Sequence, residues 1–330
     1  MRLVLKLIFN RVLQGVLALL IISALVFWLL AATGSDALTA LGADSLVHEE
    51  TIKSLRHIYG LDQPLHVRYG RWLAGALRGR LGESFFYRVP VGSLLWPRLL
   101  STLMLATIAL VIAWAIALSL GALAARRKGG WIDRFCGLLI LLATSTPRIV
   151  LALIALAFAA RTGLLNVGAD AAGAGLAAGA LKRVLLPALV LSVPLVALFL
   201  AQVRDGLGEA LREEFVQVAR AKGLSERVVI LRHALRAALN PLITIFGYSL
   251  GGVMSGSVIV ETVLGWPGLG QLSVVAVRNR DVPLLMGVVL ITATAVLIGN
   301  MVADLLLRFN DPRLREDESR AASMSRANAA

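Results

Sequence analysis

"LLSTLMLATIALVIAWAIALSLGALAA", Leu99 to Ala125, runs for 27 residues without a charged side chain. About 20 apolar residues carry an α-helix across the hydrocarbon core of a bilayer, so this stretch is long enough to span one. Working outward, five more segments read the same way. Val12–Ala32 has 21 uncharged residues, and Phe135–Ala160 has 26, interrupted once by Arg148. Val184–Val203 has 20, with Pro187 and Pro194 inside, and Pro241–Val260 has 20, rich in small residues. Val282–Ala303 has 22 and continues past Asp304 to Leu307. Unpaired backbone groups are so costly in lipid that these segments must be helices and not open strands. The expected fold class is an all-α membrane protein with six transmembrane helices.

The composition agrees. The chain is 58% hydrophobic and only 16% charged, where a soluble domain carries about a quarter charged residues. The first segment is longer than the 7–15-residue apolar core of a signal peptide, although "AAT" resembles a cleavage end, and it is read as a retained anchor. Basic residues in short loops give the orientation. "RRKGGWIDR" has four, the 204–240 loop has seven, and the tail from Arg308 has five. The connections at 161–183 and 261–281 have three and two. Both termini and the 204–240 loop are therefore expected in the cytoplasm. The net charge of +13 then reads as a basic rim facing the lipid bilayer, and nucleic acid is not an expected partner.

Residues 33–98 form an expected external region. Within it Leu65, Tyr69, Trp72, Leu73, Ala76 and Leu77 recur at helical spacing after the turn "GLDQP", and Ile52, Leu55 and Tyr59 make a similar stripe before it. These two amphipathic helices suit either a packed cap or a docking surface. The expected division is 1–97, anchor plus external region; 98–308, transmembrane domain with the 204–240 loop; and 309–330, a polar and disordered tail.

Several chemistries lack their motifs. No G-x-x-x-x-G-K-[ST] and no H-E-x-x-H occurs. His48, His57 and His66 are spaced by nine residues, which does not align ligands on one helix face, and no metal site is expected. Cys136, the sole cysteine, permits no internal disulfide. No nucleophile–base set or paired buried carboxylate stands out, so the chain is expected to be non-catalytic and to hold no cofactor.

The 204–240 loop reads as two helices. "GEALREEFVQVARAK" places Leu211, Phe215, Val218 and Ala219 on one stripe and stops at Gly223. Ser225 then caps a second helix with Val228, Leu231, Leu235 and Ala238 on one face. Glu209, Glu213 and Glu214 lead the first helix while Arg220 and Lys222 end it, as its dipole favours. On these patterns alone, a hairpin resting on anionic headgroups fits as well as a docking element.

"EFVQVARAKGLSERVVILRHALRAALNPLIT" resembles the cytoplasmic loop of permease subunits of ATP-binding cassette importers, specifically the dipeptide/oligopeptide/nickel branch. "LRHIYGLDQPLHVRYGRWLAGALRGRLGESF", "ETVLGWPGLGQLSVVAVRNRDVP" and "VADLLLRFNDPRLR" are similar to that family in the same order along the chain. The resemblance implies the type I importer permease fold in a bacterial inner membrane. It also implies a homologous second permease subunit, two ATPase subunits that use ATP and Mg, and an extracytoplasmic solute-binding protein. In the family this loop is a coupling helix seated in a groove of the ATPase. By position, Ala219 and Gly223 match the small residues that permit close approach, and Gln217 stands where the wider superfamily has glutamate. Phe215, Val218 and Leu224 are the expected apolar knobs, with Arg220 and Lys222 the polar contacts.

The chain departs from the family in two places. Relatives often carry "PGDP" near the end of span one, where this chain reads "AATGSDAL" (Ala31–Leu38). In span three the residue after the proline of "STP" is a charge, Arg148. Counted along one continuous helix it lies 13 residues in, about 20 Å deep, where a charge needs a partner or water. It suits a path-lining cation for an anionic substrate group, a span that starts later, or a pair with a neighbouring subunit. "GYSLGGVMSGS" (Gly247–Ser257) suits close helix packing, and its Ser255 could line the path.

The expected function is therefore the permease subunit of an ATP-driven importer, with peptides as the default substrate and nickel, glutathione or glycans as alternatives. An ion-coupled secondary transporter is the rival class. It calls for intramembrane Asp or Glu, of which the spans are nearly free. A membrane scaffold is the third class.

Overall fold

The computed structural model describes residues 2–32, 62–163 and 176–310. The Ile52–Leu55–Tyr59 stripe, His48, His57, the turn after Ala32 and the tail beyond Asn310 lie outside them. The chain order is α1 (Arg2–Ala32), α2 (Leu65–Ala76), α3 (Val91–Arg126), α4 (Trp131–Ser145), α5 (Arg148–Thr162) and α6 (Leu176–Ala210). Then come α7 (Glu214–Ala221), α8 (Glu226–Val228), a π-helical turn (Val229–Ala234), α9 (Leu235–Val263), α10 (Leu269–Arg278) and α11 (Val282–Asn310). Among the described residues the one β feature is an isolated bridge between Glu83 and Pro90.

Four helices are long and apolar enough to cross a membrane: Arg11–Ala32, Val91–Arg126, Arg183–Ala210 and Val282–Leu306. Two bent pairs, α4 with α5 and the two parts of α9, bring the count to six if each is one span. The expected third span is thus corrected. It is not one helix over Phe135–Ala160 but two 15-residue helices meeting at 99°. Pro147 is the cause: it has no N–H to donate and pushes the residue before it out of the α region. Thr146 is accordingly extended, at φ −92° and ψ 119°. Pro187 and Pro194, by contrast, sit inside an unbroken α6.

The chain divides into two compact units, the first comprising described residues 2–32, 62–104 and 257–297, the second 105–163, 176–256 and 298–310. In the first, α2 leans on α1. The Tyr69 hydroxyl lies 2.9 Å from Ser23 Oγ, and its ring sits 5.5 Å from Phe27. The predicted α2 stripe is cut at its end, because the helix stops at Ala76 and Leu77 is 81% exposed.

Two buried carboxyls organise the same unit. Asp281 accepts bonds from the Ser84 hydroxyl (2.5 Å), the Phe86 N–H (3.1 Å) and the Leu284 N–H (3.1 Å). It thereby caps α11 and holds the "GESF" turn to it. Glu261, fully buried, accepts from the Thr102 hydroxyl (2.8 Å) and the Gln271 N–H (3.1 Å). Thr102 in turn accepts the Leu269 N–H at 2.8 Å, so side chains from α3 and α9 satisfy the free amides at the start of α10. A Cβ on Gly268 would collide with the Glu261 carboxyl, which is why glycine precedes α10.

In the second unit α4 and α5 pack along α6. Gly121 lets α3 approach α6 closely, since a Cβ there would come within 2.6 Å of Val203. Asp133 of α4 pairs with Arg204 of α6 at 2.5 Å and also accepts the Gly129 N–H at 2.8 Å. Arg204, expected in the loop, is therefore a helix residue that fastens the Arg126–Gly130 turn through Asp133. Cys136 is buried and free.

Candidate functional site: the loop helix and the arginine at the helix break

The loop between α6 and α9 has its own core. Leu207 from the end of α6, Leu211 just beyond it, Val216 and Ala219 of α7, and Val229, Ile230 and Ala234 of the π turn form one buried cluster. This corrects the expected stripe. α6 ends at Ala210, and the three residues before α7 reset the helical phase, so Leu211 does not continue onto Phe215 and Val218. The inward face of α7 is Val216 and Ala219, both 5% exposed or less. Phe215, Val218 and Leu224 point outward at 45%, 53% and 40% exposure. Val216 was missed because the charged residues before it suggested an unbroken helix.

Ala219 thus faces the loop's own core. Gln217, Lys222 and Gly223 are exposed. Gly223 adopts φ +73° and a Cβ on it would meet nothing within 4 Å, so its glycine character serves the left-handed turn after α7. Arg220 is not a free cation: its Nε lies 2.9 Å from Glu226 Oε1, tying α7 to α8 across that turn. Ser225 occupies the position before α8, but its side chain makes no capping bond. Of the expected second stripe, Ala238 is buried and Leu235 packs against the cluster, Val228 is 37% exposed, and the side chain of Leu231 lies outside the described residues; the wide π turn adds Val229, Ile230 and Ala234 to the inward face.

Arg148 opens α5 immediately after the break, so a depth counted along one helix does not apply to it. It lies against α9. Its Nη1 donates to the Gly252 carbonyl at 3.4 Å, and a Cβ on Gly256 would collide with its guanidinium. Gly256 therefore leaves the space that the planar cation occupies, while Gly252 supplies only its carbonyl, since a Cβ on it would meet nothing within 4 Å. Among the described residues no carboxylate pairs with Arg148. Ser255, on the same helix, is exposed.

The buried carboxyls Glu261 and Asp281 were absent from the sequence reading. Their signal was an isolated acid with Gly or Pro close behind, at the end of an apolar run in "ETVLGWPG" and after a polar turn in "RNRDVP". Among the described residues no group of three or more His, Cys, Asp or Glu side chains could hold a metal.

The family described as "Binding-protein-dependent transport system inner membrane component" matches residues 117–316, and its N-terminal companion matches residues 4–106. A Brucella suis protein whose name describes it as a peptide permease is 35% identical over 315 residues, covering 93% of this chain and 98% of its own. The oligopeptide transport system permease protein AppB of Bacillus subtilis is 31% identical over 315 residues, with the same coverage. Among solved structures, an inward-facing form of the MetNI methionine ABC transporter superposes with a TM-score of 0.55 at 19% identity. That match covers 66% of this chain and 96% of the other, and the likeness is one of fold.

Proposed function

The chain belongs to the family of binding-protein-dependent transport system inner membrane components, and from that premise we propose that it is the permease subunit of an ATP-driven importer of peptides. It sits in the inner membrane as a multi-pass protein with the 204–240 loop and both termini in the cytoplasm. A homologous permease subunit completes the path, two ATPase subunits dock on the loops, and a solute-binding protein delivers peptide from outside. ATP and Mg are used by the ATPases, and this chain is non-catalytic. The names of the similar proteins favour peptides over nickel, glutathione or glycans.

The observation that carries this reading is α7. It turns apolar side chains both ways: Val216 and Ala219 lock it to the end of α6 and to the π turn leading into α9, while Phe215, Val218 and Leu224 stand exposed. An exposed apolar trio beside a helix fixed at its back suits a groove in a partner. A push on that face is passed to α6 and α9 together, because buried clusters are close-packed and transmit displacement. Coupling is then rigid-body movement of helices about a central path. Arg148, seated against Gly256 and unneutralised by any described carboxylate, serves as the cation for a peptide carboxylate. Ser255 belongs to the same path. The ion-coupled alternative is weakened further by Glu261, since its oxygens are engaged by a hydroxyl and a backbone amide.

The test is reconstitution in proteoliposomes with its ATPase subunits and binding protein, reading ATPase activity against added peptide. Phe215→Ser with Val218→Ser should leave the chain folded and abolish stimulation. Unchanged stimulation in that variant would remove the coupling assignment.

A further inference from the structure

At the loop end of the second unit a cavity of about 670 Å³ opens between the Arg126–Ile132 turn and the start of the loop. Arg126, Arg127, Lys128 and Arg212 line it. All four are exposed, and among the described residues none is within ion-pair distance of a carboxylate. Arg220 also lines the cavity, but Glu226 beside it neutralises that charge. The arrangement is held in place: Asp133 grips the Gly129 amide and Arg204, and thereby fixes the turn that carries three of the cations against α6. Leu123, Ile132 and Leu211 supply the apolar part of the same lining.

Four like charges converging on one hollow repel each other and are stabilised by an anion. A compact anion with several acceptor oxygens fits best, and arginine forks match phosphate geometry. The apolar part of the lining adds a second requirement that a bare ion does not meet. We propose that this cavity binds the phosphate of an anionic phospholipid, whose acyl chains lie along Leu123 and Ile132. Trp131, 77% exposed at the same level, has the amphipathic ring favoured at a bilayer interface. Because Gln217 of α7 also lines the cavity, the bound headgroup touches the loop helix and sets how freely it moves. The site requires only that this end of the helices meet a bilayer surface, and it stands whether or not the loop seats on an ATPase.

The experiment is native mass spectrometry of the purified full chain, exchanged with dioleoylphosphatidylglycerol or dioleoylphosphatidylcholine. Retention of phosphatidylglycerol over phosphatidylcholine is expected. Each basic contact near a lipid surface contributes about 1 kcal/mol, so R126Q/R127Q/K128Q should weaken retention on the order of a hundredfold and Arg212→Gln about fivefold. Arg134→Gln with Arg227→Gln and Arg232→Gln removes three cations that do not line the cavity and should leave retention intact. Equal loss in the two triple variants would show a diffuse basic rim and overturn the site. Should the first triple variant not fold, Arg212→Gln against Arg134→Gln decides by the same criterion. Millimolar pyrophosphate should displace the lipid by competing for the same cations, and retention undiminished at that concentration would show that the phosphate is not what the cavity holds and overturn the site. If the cavity variants keep lipid but lose a copurifying ATPase, the cations serve a protein acid and the proposal fails.

Discussion

Glu261 and Arg148 are both charged residues set among apolar helices, and the molecule treats them in opposite ways. Glu261 is fully buried, and its two oxygens accept from the Thr102 hydroxyl and the Gln271 amide. Arg148 has one long bond to the Gly252 carbonyl, at 3.4 Å, and lies partly open against Gly256. The first arrangement spends its bonding capacity on the fold, fastening α10 to α3 and α9. The second leaves most of five donors available to something else. Glu261 is thus tied into the fold, whereas Arg148 is held in place with donors left over.

Glu261→Ala removes acceptors from Thr102 and from the start of α10, leaving buried donors unmet at a cost of about 3 kcal/mol. It should show as a large fall in the thermal midpoint of the detergent-purified chain. A stability near that of the parent would mean that Glu261 is not the fastening. Gly256→Leu fills the seat of Arg148 and should cost about 1–3 kcal/mol through overpacking. Arg148→Ala combined with Gly256→Leu should recover most of that loss, and an additive double variant would show that the two residues do not touch.

Gly223→Val forces a β-branched residue into a left-handed turn, a loss of about 1–2 kcal/mol, and should also reduce ATPase stimulation. The smallest effect on stability is expected for Arg148→Ala alone, within about 0.5 kcal/mol of the parent. Its effect falls on transport instead, where uptake of peptides with a free carboxylate should drop roughly tenfold, the equivalent of one charge-assisted hydrogen bond. Unchanged uptake would return Arg148 to a packing role.

The apolar runs located four long helices and the two bent pairs, because an uninterrupted apolar run crosses lipid as a helix of sufficient length, and run length is a local property. The proline before Arg148 was visible too, but its effect was not. Pro187 and Pro194 lie within a continuous α6, whereas Pro147 sits at a 99° break, and nothing local distinguishes them. The loop shows the same limit. Gly223 announced a helix stop correctly, since a left-handed residue is a local requirement. The inward face of α7 could not be read, because a turn of a few residues after Ala210 changes the phase of everything beyond it.

By itself, the sequence determined that this is a helical membrane chain with a basic, glycine-broken loop and a set of family motifs. Those features follow from length, charge and backbone preference, which each segment carries alone. Tertiary structure decided that Val216 turns in while Phe215 and Val218 turn out, that Glu261 is bonded to Thr102, and that Arg148 rests against Gly256 of α9. Each of those outcomes depends on where a residue far along the chain comes to lie, and packing fixes that only after the helices have formed.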